Sequence, residues 1–126
     1  MVSDVALVLV DDDLALRQAL TFAFETEGYA VRAFADAESL LAAPAAPQGA
    51  ACLVLDQRLP GMSGLALLTA LRARNVATPA ILMTSHPTPS LLREAQSAGA
   101  AVVEKPLLGS GLAGKVREVM QYDIAR

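Results

Sequence analysis

Five short runs rich in Val, Leu and Ile recur along the chain, at Val5–Val10, Tyr29–Phe34, Cys52–Leu55, Ala80–Met83 and Ala101–Val103. The stretches between them have room for helices of about 10 to 14 residues, so the pattern is alternating β and α. The first, third and fourth runs are nearly continuous in apolar character, as expected of central strands in a parallel sheet covered on both faces. The expected architecture is therefore a doubly wound, three-layer α/β fold. With 126 residues there is room for one compact domain, and we expect a single domain over 1–126.

Local signals agree with that reading. Leu16, Ala19, Leu20, Ala23 and Phe24 recur at helical spacing on one face, and Gly28 follows as a C′ residue. Asp36 can cap a short helix through about Ala43, after which PAAPQG reads as a connection into the Cys52 strand. Leu67, Leu68 and Leu71 mark the inner face of a third helix. Thr88-Pro89 reads as an N-cap followed by proline at N1, opening a helix that runs to about Ala98 before Gly99. A last helix from about Gly109 to Tyr122 contains three glycines, each costing roughly 1 kcal/mol against alanine, so its first turn should be weak.

Composition removes several classes of function. Hydrophobic residues make up 54% of the chain, yet charge or proline breaks every apolar run well before the roughly 18 residues of a membrane span. We expect no membrane contact. The N-terminus MVSDVALVLVDDD lacks a basic region and cleavage site of a secretory signal, so a cytoplasmic location is expected. The lone cysteine, Cys52, lies in an apolar run and reads as a small buried hydrophobe. A net charge of -3 with no basic run gives no electrostatic footprint for direct nucleic-acid binding.

The polar groups fall where chemistry would use them. Asp11 and Asp12 end the first run, Asp56 the third, Thr84 the fourth and Lys105 the fifth. In open α/β sheets, ligands bind outside the carboxyl ends of the strands, so these groups should converge at one edge. Three carboxylates gathered there repel, each pair at about 4 Å costing on the order of 4 kcal/mol at an effective dielectric near 20. Something positive must sit among them. An oxygen-only donor set without paired His or Cys favours Mg²⁺ or Mn²⁺. A metal, a lysine, an ionised carboxylate and a hydroxyl together suit phosphoryl transfer.

The segments VLVDDD, LVLDQRLPGMSG, ILMTS and VVEKP resemble the signature segments of bacterial two-component response-regulator receiver domains, over essentially the whole chain. The resemblance implies the flavodoxin-like five-stranded sheet of order 2-1-3-4-5. It implies that Asp56 accepts a phosphoryl group, that Asp11, Asp12, Asp56 and the backbone carbonyl of Arg58 hold Mg²⁺, and that Thr84 and Lys105 bind the phosphoryl oxygens. The implied donor is a sensor histidine kinase or phosphotransfer protein, and the implied outcome is an altered partner-binding or homodimer surface. Such a domain is not an enzyme on an independent substrate; it catalyses only its own phosphorylation and dephosphorylation. Family positions that tune dephosphorylation fall on Arg58 and His86, Ser85 stands at the entrance, and the Lys105–Pro106 bond is expected to be cis. One departure stands out: Val102 occupies the place of the usual switching aromatic, and the chain is one residue shorter between Gly99 and Lys105.

Each feature also has a plainer reading. Asp11-Asp12-Asp13 alone is an ordinary helix cap, with Asp13 the capping residue, and Asp56 alone is a turn former. His86, without a Cys or His neighbour, reads as surface. Met62 and Met83 read as packing residues. Leu14, Gln18 and Thr21 lie opposite the Leu16/Leu20/Phe24 stripe, with Ala15 and Phe22 beside them. They read either as solvent surface or as the docking site for the kinase's helices. The order of acid pair, acid, hydroxyl and lysine, each at its own strand end, favours the functional reading. Three alternatives follow: a phosphorylation-independent degenerate receiver acting as a binding module, an aspartate-nucleophile phosphohydrolase read from Asp11-x-Asp13, and a flavin module. The last is disfavoured because DDDLAL would repel a phosphate.

Overall fold

The computed structural model describes residues 5–43, 45–105 and 111–124. Its elements, in chain order, are β1 (Ala6–Val10), α1 (Leu14–Thr26), β2 (Ala30–Phe34), α2 (Ala37–Leu41), α3 (Ala45–Gln48) and β3 (Cys52–Asp56). There follow α4 (Gly64–Ala73), β4 (Ala80–Thr84), α5 (Pro89–Ser97), β5 (Ala100–Glu104) and α6 (Gly111–Ile124). All strand pairs are parallel and the sheet order is β2-β1-β3-β4-β5. The three runs that are almost purely apolar are the three central strands, buried on both faces.

The pleat divides the core in two. Val8 and Val10, Leu53 and Leu55, and Ala80 and Leu82 face Ala37 and Leu40 of α2, Leu67, Leu68 and Leu71 of α4, and Leu91 and Ala95 of α5. The alternate residues Leu7, Leu9, Cys52, Val54, Ile81 and Met83 face Phe24 of α1 and Leu112 and Val116 of α6. Strand residues alternate between faces with a period of two, which is why neighbours in sequence belong to different cores. Each fully buried Leu contributes about 1.5–3 kcal/mol relative to exposure, so the helices are held mainly by these stripes and not by their own propensity.

The expected helix boundaries hold where cap chemistry marked them. Asp13, Asp36 and Thr88 accept from the amides of Leu16, Ser39 and Leu91 at 3.1, 2.7 and 3.1 Å. Gly28 takes φ +98° as α1 ends. Three details differ from expectation. The PAAPQG connection contains a short helical turn, α3, because Pro47 falls in its first turn, where its missing N–H has no helical partner to lose. On α1, Ala19 and Ala23 are exposed, whereas Thr21 and Arg17 are half-buried beside Leu16, Leu20 and Phe24. The helix is rotated towards its larger side chains, since alanine gains little from burial. Finally, α2 stops at Leu41. The last helix extends to Ile124, and the stretch 106–110, with the expected cis bond before Pro106 and the start at Gly109, lies outside the described residues.

Arg72 adds a long-range staple. Its guanidinium donates to the carbonyls of Val76, Thr78, Ala98 and Gly99 at 2.9, 2.7, 2.7 and 3.3 Å, tying the end of α4 to the approach to β4 and to the end of α5. Among the described residues no helix is long and apolar enough to cross a membrane.

Candidate functional site

The parallel sheet directs every strand's carboxyl end to the same edge, and the expected polar groups meet there. Asp56 and Thr84 are the last residues of β3 and β4, while Asp11 and Lys105 immediately follow β1 and β5. The ladder itself sets their positions: Asp11 N–H donates to the Phe34 carbonyl at 3.1 Å and Lys105 N–H to the Thr84 carbonyl at 2.8 Å.

Carboxylate oxygens of Asp11, Asp12 and Asp56 all lie within 4.8 Å of one another. Asp11 is fully buried and Asp56 is 4% exposed, whereas Asp12 faces solvent. The Lys105 ammonium lies 3.1 Å from Asp56 Oδ2 and 3.9 Å from Asp11 Oδ2. Three carboxylates against one ammonium leave two negative charges in excess. Burial, followed by the charge of Asp56, pushes the Asp11 carboxyl above its ordinary value, against the opposing pull of the Asp13 amide and Lys105.

Two observations test whether a metal suits this cluster. Asp11 Oδ1 accepts from the Asp13 amide at 2.9 Å, but among the described residues the buried Oδ2 has no hydrogen-bond partner. A buried acceptor left without a donor is costly, and a divalent cation would satisfy it. The donor set is also all oxygen, with no His or Cys in the cluster. The residues therefore fit a hard divalent ion such as Mg²⁺.

Around the cluster, each neighbouring group has a definite task. Asp56 Oδ1 accepts from the Arg58 amide at 3.2 Å, and Thr84 Oγ1 accepts from the His86 amide at 3.1 Å, which leaves the threonine hydroxyl proton to donate. Arg17 on α1 donates to the Asp11 carbonyl at 2.7 Å and braces the acidic loop. Gly64 is buried at the start of α4, where an added Cβ would overlap the Asp56 carbonyl oxygen. Its lack of a side chain lets the helix start against the strand end. A cleft of about 690 Å³ opens over these groups, with Arg58, Ser85 and His86 on its wall. A larger groove of about 1390 Å³ between α4 and α5 gathers Arg72, Arg93 and Glu94, but not the acid cluster.

The sequence reading placed Asp11, Asp12, Asp56, Thr84 and Lys105 together, and the structure brings them together. His86 stands on the cleft wall, apart from the acid cluster, and Val102 is half-buried against the α2–α5 core. Sequence reasoning missed Gln57, Gly64 and Arg17. Gly64 alone left a signal, as the second glycine of GMSG, while the other two are single polar residues whose partners lie elsewhere in the chain.

Comparison with known proteins agrees with the geometry. A family model described as the response regulator receiver domain matches residues 7–117. The chain is 40% identical over 110 residues to the transcriptional regulatory protein FixJ of Azorhizobium caulinodans, covering 86% of this chain and 52% of that protein. It is 44% identical over 102 residues to the C4-dicarboxylate transport transcriptional regulatory protein DctR of Rhodobacter capsulatus, covering 78% and 51%. The chain thus spans about half the length of these curated relatives. The crystal structure of FixJ-N superimposes with a TM-score of 0.82 at 31% identity, over 94% of this chain and 95% of that one.

Proposed function

This chain belongs to the family of response regulator receiver domains, the phosphorelay modules of two-component signalling, and from that membership we propose that Asp56 is its phosphoacceptor. The observation that carries the assignment is the 3.1 Å approach of Lys105 Nζ to Asp56 Oδ2 inside the acid cluster. Asp11, Asp12, Asp56 and the Arg58 backbone carbonyl would hold Mg²⁺, or Mn²⁺ in its place. When bound, the ion would neutralise charge on the transferring phosphoryl oxygens.

The chain's own groups then divide the work. An Asp56 carboxylate oxygen attacks phosphorus in line, the bond to the donor's leaving atom breaks, and an aspartyl phosphate remains. Lys105 stays beside the new phosphoryl oxygens, and the free Thr84 hydroxyl proton is available to one of them. Both groups are fixed by strand ends, so little reorganisation is needed as charge develops. The domain promotes only its own phosphorylation and dephosphorylation. Arg58 and His86, on the cleft wall beside Asp56 and Thr84, are placed to set the lifetime of the adduct.

The donor is a sensor histidine kinase or phosphotransfer protein, and the setting is the cytoplasm. The curated relatives are transcriptional regulators, so we take a transcriptional output, delivered by another domain or protein and with homodimerisation on phosphorylation, as the working role. Intact-mass analysis after adding Mg²⁺ and acetyl phosphate tests the acceptor. We expect a base-labile phosphoryl adduct on the native chain and none on Asp56→Ala. An unmodified native chain that still binds Mg²⁺ would instead favour a phosphorylation-independent binding module.

A further inference from the structure

Gln57 follows Asp56 directly and forms part of the cleft wall, half-buried. Three of its groups are engaged at once. Its backbone N–H donates to the Met83 carbonyl at 2.8 Å, its own carbonyl accepts from the Gly64 amide at 3.0 Å, and its side-chain Oε1 accepts from the Leu65 amide at 2.8 Å. The first bond extends the β3–β4 ladder past Asp56. The other two reach across the turn to the first two amides of α4.

A helix leaves its first amides without internal partners, and exposed ones are ordinarily served by water. Here Ser63 caps Ala66 in the usual way, at 3.0 Å, while a residue from the far side of the turn takes the two amides before it. Gln57 therefore grips both ends of the segment that carries Arg58. Arg58 is also tied by its amide to Asp56 Oδ1 at 3.2 Å. Among the described residues its exposed side chain adds no hydrogen bond or ion pair, so its backbone pose depends on these ties.

We infer that Gln57 is a positioning residue that fixes the Arg58 backbone and thereby sets how tightly the acid cluster holds a divalent cation. The inference rests on the site reading above, in which the Arg58 carbonyl is the ligand that the three carboxylates lack. Loss of a group that orients a metal ligand from outside typically weakens metal binding about 10- to 100-fold. Gln57→Met keeps the length of the side chain and both backbone bonds, but removes the acceptor for the Leu65 amide.

Titration of free Mn²⁺ by its electron paramagnetic resonance signal gives a readout independent of phosphorylation. Native chain, Gln57→Met, Gln57→Leu and Ser63→Ala are compared. The expected result is measurable native affinity, about tenfold weaker binding in both Gln57 variants, and native affinity in Ser63→Ala, which loses a cap on the same helix without touching the Arg58 turn. Native affinity in the Gln57 variants overturns the inference and leaves the site reading standing. Equal weakening in Ser63→Ala also overturns it, since a loosened helix would then suffice. A native chain that takes up no Mn²⁺ overturns the site reading, and the inference with it.

Discussion

Asp11 is the residue on which the site's electrostatics turn. It is fully buried, one oxygen is without a hydrogen bond among the described residues, and Asp56 and Asp12 stand beside it. Its carboxyl lies above its ordinary value because burial disfavours the charged form. A group raised in the folded state contributes stability below its unfolded value near 3.8 and loses it as pH rises through the folded value. At neutral pH the metal-free protein therefore carries this charge as a burden. Asp11→Asn keeps an acceptor for the Asp13 amide and removes the charge, so it should stabilise the metal-free chain by about 1 kcal/mol or more. Thermal melts without and with Mg²⁺ check this: the variant should melt several degrees higher without metal and gain less when Mg²⁺ is added. A lower metal-free midpoint would show that the carboxylate's bond to Asp13 outweighs its repulsion. The acids were legible in the sequence because each sits at a strand end. Gln57 was not, since a polar residue in DQRLPGMSG reads as loop until Leu65 is known to lie across the turn.

At the scale of elements, α1 presents two faces of different consequence. Phe24 anchors it to the sheet, while Leu14 is 56% and Phe22 73% exposed, with Ala15, Ala19 and Ala23 also in solvent. Large exposed apolar groups grouped on one helix are the composition of a docking face. If the kinase's helices seat there, Leu14→Ala with Phe22→Ala should slow transfer from the cognate kinase by about tenfold, the equivalent of about 1.4 kcal/mol. Uptake from acetyl phosphate should remain at the native rate, because neither side chain belongs to the acid cluster. Unchanged transfer from the kinase would return this face to ordinary surface. The spacing of Leu16, Leu20 and Phe24 was enough to foresee the helix. It misassigned Ala19 and Ala23, because alanine is apolar by type yet too small to decide which way a helix turns. Likewise, nothing local marks Arg72, whose carbonyl partners reach as far as Ala98 and Gly99.

For the whole molecule, the layered core makes the single thiol a reporter of global opening. Cys52 lies on a central strand, wholly buried between Leu7, Val54 and the α1/α6 layer. Burial pushes its thiol from 9.0 up to about 12. The unfolded chain ionises first as pH rises, so this group's contribution is complete below about 9 and is lost between about 9 and about 12. Denaturant melts across that range should show native stability falling with pH, with a shallower fall in Cys52→Ala. At neutral pH, labelling of the native thiol should proceed no faster than unfolding; rapid labelling would mean local opening at β3. The strand order was expected from a resemblance, whereas the three central strands were readable directly from their unbroken apolar runs. That order also governs when the molecule becomes competent. The clustered side chains come from the ends of four strands, and Lys105 follows β5. During synthesis the acidic groups emerge early, yet a nascent chain shorter than β5 has no ammonium to set against them. Truncation before that point would leave a collection of acids with no lysine beside them, so the cluster cannot be complete until β5 has been made.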